Sequence, residues 1–227
     1  MQLIKEQFVE KEEINLELID KIERLLPSDI EKRSFEIIGE ELNKMGIILP
    51  GENESVIKRA IHTSADFDYA HTLKFSKDAV KIACELIRNG ADIVTDTNMG
   101  LTGINKKTLA KYGGTVHCFM ADEDVAAEAK EKGVTRAYIS MQRAAKIGKP
   151  VIFAIGNAPT ALVSLYEMFK SGEFTPDFII GVPVGFVNVE VSKELIMSTD
   201  IPYIVNEGRK GGSNIAAAIC NALLYQL

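Results

Sequence analysis

The segment RAIHTSADFDY, residues 59–69, contains side chains that could bind an anion and move a proton. It holds His62, one of three histidines in the 227-residue chain, and Arg59 three positions earlier. An imidazole titrates near pH ~6.5 and can give or accept a proton at neutral pH. Residues three apart share one face of a helix, so Arg59 and His62 are predicted to be neighbours. His62 is therefore a candidate acid–base group, the alternative being a structural histidine at a helix end.

Two other roles for His62 are disfavoured by the spacing of its neighbours. A zinc site needs several convergent ligands, commonly with a close pair such as HxxxH. His62 and His71 are nine residues apart and neither has a cysteine beside it, so no metal ligand is predicted. The GxSxG signature of a nucleophilic serine is absent as well. His71 and His117 fit structural roles, since His117 lies inside an apolar run.

Glycine-rich loops at the ends of predicted strands are candidate anion sites. In AIGNAPTAL, the amides that open the following helix could hold a carboxylate or phosphate together with Asn157 and Thr160. In GRKGGSN, Arg209 and Ser213 precede the last helix. Each motif alone is also ordinary turn chemistry, but several in one domain favour a large anionic ligand. Neither GxGxxG after a strand nor GxxxxGK[ST] occurs, which disfavours dinucleotide and P-loop ATP binding.

Two further loops follow predicted strands. TDTNMGLTG begins with Asp96, Thr97 and Asn98, and at least one of the three is expected to cap the helix that follows. IIGVPVGFV suggests a tight turn against another backbone or a flat ligand, because Gly181 and Gly185 leave room for close approach.

The elements that must position these residues alternate between helices and short apolar strands. We predict a three-layer α/β fold with a mostly parallel central sheet, helices on both faces and additional N-terminal helices. Ser28 and Glu31 have the spacing of a capping box and predict a helix start. Helices are predicted over 6–25, 29–44, 56–63 and 76–89, and strands over 91–96, 115–120, 151–156, 178–184 and 203–205.

Composition limits the class of protein. The length suits one domain, no apolar run approaches a membrane span, and the N-terminus lacks the apolar region of a secretory signal. Three widely separated cysteines fit reduced thiols, so we expect a cytoplasmic protein. Residues 1–54 hold 14 acidic and 7 basic side chains, and no basic tract occurs elsewhere, which disfavours nucleic acid as a partner.

Five segments together resemble the precorrin-8X / cobalt-precorrin-8 methylmutase family of cobalamin biosynthesis. They are IHTSADFDY, TDTNMGLTGINKKTL, AIGNAPTAL, IIGVPVGFVNVEVSKE and GRKGGSNIAAAICNALL, and the resemblance covers roughly residues 34–224. It implies one methylmutase domain over 1–227, of which residues 1–27 form an N-terminal helical extension. It also implies homodimers with active sites at the subunit interface and no cofactor, cobalt entering only as part of the corrinoid substrate.

The resemblance assigns roles to four of the residues. His62 matches the family's catalytic histidine, and Ser34, Arg59 and Arg136 match its substrate-contacting residues. The implied reaction moves a methyl group from C-11 to C-12 of a flat, carboxylate-fringed macrocycle, with acid–base assistance from the histidine. Two rival functions stay open on the residues alone: a corrinoid carrier, and a Rossmann-like enzyme acting on a nucleotide or sugar phosphate.

Overall fold

The computed structural model describes residues 18–227, which fold into the predicted three-layer α/β architecture. The strands in this range are β1 (Leu73–Phe75), β2 (Asp92–Thr95), β3 (Val116–His117), β4 (Val151–Ile155), β5 (Phe178–Gly181) and β6 (Tyr203–Asn206). The helices are α1 (Pro27–Lys44), α2 (Glu54–Ser64), α3 (Tyr69–Thr72), α4 (Ala79–Arg88), α5 (Asn98–Gly103), α6 (Lys106–Ala110), α7 (Glu123–Lys132), α8 (Arg136–Ala144), α9 (Pro159–Ser171), α10 (Val189–Met197) and α11 (Ser213–Leu224). The fold class expected from the sequence is confirmed.

The sheet is mixed, with a single antiparallel pair among the described strands. The strand order is β1-β6-β5-β4-β2-β3, and β1 runs antiparallel to β6 while the other pairs are parallel. The chain leaves β2 towards β3 and leaves β4 towards β5, in opposite directions, although β2 and β4 are neighbours. Ligands of open parallel sheets commonly bind beyond the carboxyl ends of such a strand pair.

Each face of the sheet carries its own apolar core, because successive side chains of a strand point to opposite faces. In β4, Val151, Phe153 and Ile155 pack into the core beneath α8 and α9. Ile152 and Ala154 pack into the core beneath α2, α4 and α11. All five side chains are buried, as expected for a strand covered on both sides.

Helix α11 joins the sheet to α2. Most α11 residues are buried, and its small side chains let neighbouring helices come close. A Cβ added to Gly103 of α5 would lie 2.9 Å from the Cβ of Ala217. Buried Val56, Ile57 and Ala60 of α2 belong to the same core as α11. Helices α2, α5 and α11 therefore form one packed unit.

The predicted capping box at the start of α1 is wrong. The helix begins at Pro27, and Leu26 is the N-cap residue, without a side-chain cap. A proline disfavours helical geometry in the residue before it but suits the first helical position itself. Ser28 therefore lies inside the helix, where its hydroxyl contacts Asp29 at 3.4 Å.

Several other boundaries differ from the predictions. The helix predicted over 6–25 lies largely outside the described residues; within them, 18–20 are helical and 22–26 are not. Strand β3 is shorter than predicted because it is an edge strand that pairs only with Ile93 and Val94. Strand β1 was not predicted, and its three residues are ordered by pairing with distant β6.

Candidate active site

His62 lies on the exposed side of an amphipathic helix. The buried residues of α2, among them Ala60 and Ile61, face the core, which leaves His62 and Thr63 exposed. The helix ends at Ala65, whose left-handed backbone (φ 54°) turns the chain away directly after this segment. The predicted acid–base residue is therefore accessible.

A cleft of about 330 Å³ opens beside the imidazole of His62. Its walls come from the packed unit of α2, α5 and α11, together with the residue that follows α11. The lining residues are Arg59, His62, Thr63, Met99, Gly103, Asn214, Ala217, Ala218, Asn221 and Tyr225. The cleft thus combines an imidazole, a guanidinium and amide groups with an apolar floor.

Phe35 of α1 packs against both the imidazole of His62 and the guanidinium of Arg59. The rings of His62 and Phe35 stack with centroids 5.3 Å apart and planes inclined by 21°. The guanidinium of Arg59 lies 4.8 Å from the Phe35 centroid and 5.2 Å from the Tyr225 centroid, within cation–π range. The prediction that Arg59 and His62 share a helix face is confirmed by their common contact with Phe35. We name Phe35, Arg59, His62 and Tyr225 the helix-face cluster.

Two acidic or polar residues of α1 complete the surroundings of this cluster. Glu31 forms an ion pair with Arg59. Ser34 is half-buried, and its hydroxyl donates a hydrogen bond to the carbonyl of Ile30 at 2.9 Å. Ser34 adjoins Phe35 in the chain but does not line the His62 cleft. Sequence reasoning missed Glu31 and Phe35, although their spacing of four places them on one face of α1.

The loop after β4 is held by a carboxylate of the protein itself. Asp96, directly after β2, accepts hydrogen bonds from the amides of Gly156 (2.9 Å), Asn157 (2.8 Å) and Ala158 (2.5 Å). Burial raises the pKa of Asp96, while these three amides favour its ionised form. The loop amides therefore already have an anionic partner in the neighbouring strand end.

The loops after β2 and β6 are also joined to each other. Thr97 caps α5 by accepting from the amide of Gly100 at 3.0 Å, which confirms one of the predicted caps. Its hydroxyl donates to that of Ser213 at 2.7 Å. A Cβ on Gly156 would lie 2.5 Å from the Cα of Ser213, so the loop after β4 also touches the loop after β6, backbone to backbone. Asp96, Thr97, Gly156 and Ser213 are named the strand-end network.

The remaining predicted site residues lie outside the cleft as the described residues define it. Arg136 is exposed at the start of α8, and neighbouring Thr135 bonds to Thr160 at 2.8 Å, so α8 and α9 begin side by side. Asn157 is exposed in the loop between β4 and α9. Arg209 pairs with Glu190 at 3.0 Å. None of the four predicted residues lines the His62 cleft.

A buried lysine supports the loop that carries Arg209. Lys193 of α10 is fully buried, and its ammonium donates to the carbonyls of Gly208 (2.7 Å) and Lys210 (2.9 Å). Burial lowers the pKa of Lys193 to about 8, against the opposing influence of Glu190. Because a buried charge needs partners that the sequence does not show, this residue was missed by sequence reasoning.

An exposed apolar loop connects β5 to α10. Phe186 is 82% exposed and Val187 is 78% exposed, and Val184 beside them is also exposed. The guanidinium of Arg209 lies 5.6 Å from the Phe186 centroid. Contiguous apolar surface of this kind commonly marks a binding surface.

The described residues contain neither a cluster of metal ligands nor a membrane-spanning helix. Within residues 18–227, no group of three or more His, Cys, Asp or Glu side chains is arranged to hold a metal ion. Among the helices of that range, none has the length and apolar character to cross a membrane.

The fold and the cleft define the class of protein: an α/β domain in which a histidine and an arginine line a ligand-sized cleft is typical of an enzyme with a small-molecule substrate. The family model for precorrin-8X methylmutase matches residues 29–226. The chain therefore belongs to the precorrin-8X methylmutase family, and it is an isomerase of the methylmutase type.

Individual relatives agree with this assignment. The chain is 43% identical over 197 residues to the cobalt-precorrin-8 methylmutase of Priestia megaterium, covering 87% of each chain. It is 43% identical over 205 residues to the cobalt-precorrin-8 methylmutase of Salmonella typhimurium, covering 88% of this chain and 96% of that one. The crystal structure of precorrin-8x methyl mutase from Thermus thermophilus matches with a TM-score of 0.78 at 36% identity, covering 87% of this chain and 96% of that one.

Proposed function

We propose that the protein moves a methyl group from C-11 to C-12 of precorrin-8X or cobalt-precorrin-8 in cobalamin biosynthesis. The product is hydrogenobyrinate or its cobalt form, cobyrinate. Family membership supports this reaction, and two of the relatives named above are cobalt-precorrin-8 methylmutases. The observation that carries the proposal is the exposed imidazole of His62 at the edge of the cleft.

His62 acts as the acid–base group in this proposal. A methyl shift within one molecule needs no redox agent and no external methyl donor, but it needs the π-system in a tautomer that permits migration. The imidazole moves a proton at a ring nitrogen or adjacent carbon of the macrocycle and so supplies that tautomer. Stacking on Phe35 limits rotation of the imidazole, which orients its nitrogens before the substrate arrives.

The predicted binding residues hold the carboxylates at the edge of the macrocycle. Among the predicted binding residues, Arg59 is the one that lines the same cleft as His62. It therefore binds the carboxylate nearest the reacting carbon. The hydroxyl of Ser34 gives up its hydrogen bond to the Ile30 carbonyl and donates one to the substrate instead, which orients the substrate. The more distant group of Arg136, Asn157, Thr160 and Arg209 binds carboxylates elsewhere on the ring or on its other face, whereas the buried Ser213 hydroxyl serves the fold through its bond with Thr97.

A second copy of the chain completes the site in this proposal. The cleft of about 330 Å³ is at the small end of the range of about 300–1,000 Å³ for ligand pockets, so it holds part of a macrocycle. The exposed side chains of Phe186 and Val187 offer apolar surface to a partner subunit or to the flat ring. The active form is thus a cytoplasmic homodimer without a resident cofactor, and any cobalt belongs to the substrate.

The proposal is tested by replacing His62 with alanine. General acid–base catalysis typically contributes about 10²–10⁴-fold to a rate, so the expected result is a loss of that size in the conversion of precorrin-8, followed by absorption spectroscopy. Binding of hydrogenobyrinic acid should persist. His71→Ala is the matched control, because His71 is also exposed at a helix end and does not line the cleft. Full turnover by His62→Ala would contradict the proposal, and wild-type binding without conversion would identify a carrier instead.

A further inference from the structure

Arg59 is already occupied in the structure. Its guanidinium pairs with the carboxylate of Glu31 from α1. The same guanidinium lies over the rings of Phe35 and Tyr225, at 4.8 and 5.2 Å from their centroids. Arg59 therefore has two kinds of partner, one that neutralises its charge and one that covers its surface.

These two kinds of contact differ in how readily they open. The Glu31 side chain is 53% exposed whereas that of Arg59 is 17% exposed. An ion pair with a half-exposed carboxylate contributes little to stability, so another anion can replace Glu31 at small cost. The ring contacts do not involve the carboxylate, and they keep the guanidinium in place when Glu31 leaves.

Arg59 also lies where a ligand carboxylate would reach it. It lines the His62 cleft and a second cavity of about 500 Å³ that is also bounded by Phe35, Lys58 and Tyr225. Lys58, the other cation of the second cavity, is paired with Glu54 at 2.5 Å. Arg59 is thus the cation that the two described cavities share.

We propose that Glu31 is a positioning residue that holds Arg59 in the free protein and is exchanged for a peripheral carboxylate of the corrinoid. The inference rests on the proposed function. A macrocycle whose acid at that position is amidated or missing leaves the Glu31–Arg59 pair intact and gains nothing from Arg59. The internal carboxylate thereby competes with a ligand that is charged at this position and leaves the binding of a ligand that is neutral there unchanged.

The test is Glu31→Gln, which keeps the side-chain size and removes the competing charge. The Glu31–Arg59 pair contributes little free energy, so its removal should have a small effect. Hydrogenobyrinic acid should bind the Glu31→Gln variant about two- to fivefold more tightly than the wild type, measured by isothermal titration calorimetry. Glu36→Gln is the matched control: it removes the same charge from the same helix, but Glu36 pairs with Arg33 at 3.7 Å. Its dissociation constant should equal that of the wild type. A purely structural role for Glu31 would loosen binding instead.

The route through Arg59 is tested by a double-mutant cycle. In an Arg59→Gln background, adding Glu31→Gln should no longer change the dissociation constant. The inference is overturned if Glu31→Gln binds no more tightly than wild type, if Glu36→Gln gains equally, or if the gain persists without Arg59. In each of these cases wild-type turnover of precorrin-8 leaves the proposed function standing, whereas a wild type without turnover and without corrinoid binding overturns both.

Discussion

The helix-face cluster and the strand-end network both contain polar side chains, but the partners of those side chains differ. In the strand-end network the partners are fixed parts of the fold: Asp96 receives three buried or half-buried amides, and Thr97 bonds to Ser213. In the helix-face cluster, His62 is exposed and Arg59 has a half-exposed carboxylate for a partner. Groups with internal partners stabilise the fold, whereas groups with exchangeable partners can meet a substrate.

This comparison predicts that the two regions respond differently to substitution. Changes in the strand-end network and its neighbouring loops should lower stability first. Changes in the helix-face cluster should lower turnover with little effect on stability.

The largest effect on stability is expected for Asp96→Asn. The substitution keeps the shape but leaves one acceptor oxygen for three amide donors and turns an NH₂ group towards one of them. We expect the free energy of unfolding to fall by about 3 kcal/mol, measured by urea denaturation. Asp122→Asn is the control, since Asp122 makes a more exposed pair with Arg143 and should cost about 1 kcal/mol or less. Equal losses in the two variants would remove the distinction between the regions.

A smaller effect is expected from the buried lysine beneath the Arg209 loop. Burial lowers the pKa of Lys193 to about 8, while an unfolded lysine titrates near ~10.4. Because the unfolded chain then binds the proton more tightly, this residue makes the free energy of unfolding rise with pH, by about 2 kcal/mol between those two values. Lys193→Met should lack that rise, measured by denaturant unfolding across this pH range.

The control for the pH series is Lys77→Met, which removes an exposed lysine. Its stability should follow the wild-type pH dependence. A Lys193→Met protein with the same pH dependence as the wild type would show that Lys193 is not held in a desolvated state.

The smallest effect in free energy is expected for Phe35→Leu, and it should fall on catalysis. The substitution removes the ring beneath both His62 and Arg59, so the imidazole loses its orientation. We expect turnover to fall about tenfold, equivalent to about 1.4 kcal/mol, with stability lowered by less than about 1.5 kcal/mol. Phe75→Leu, the same change on half-buried β1, should leave turnover unchanged. If Phe35→Leu lost stability but kept full turnover, the ring would belong to the core rather than to the site.

The sequence predicted the fold class well because the pattern of apolar strands and helices depends on local periodicity. It also predicted that Arg59 and His62 are neighbours, since both lie on one helix three residues apart. The error at Ser28 had a local cause, because the Leu26–Pro27 pair sets the helix start and overrides the capping spacing. Phe35 was missed because its role depends on the packing of α1 against α2, which no short segment encodes.

What the amino-acid sequence determined by itself was the alternation of helices and strands, the shared helix face of Arg59 and His62, and the residues available for acid–base chemistry. Only the tertiary structure decided which polar groups have partners within the protein and which remain available to a ligand. Asp96 meets amides some sixty residues later in the chain, and Arg59 meets Tyr225 from the last residues of the sequence. These pairings join strand ends and helix ends that are remote in sequence, so their partners are set by how the layers pack and not by local pattern.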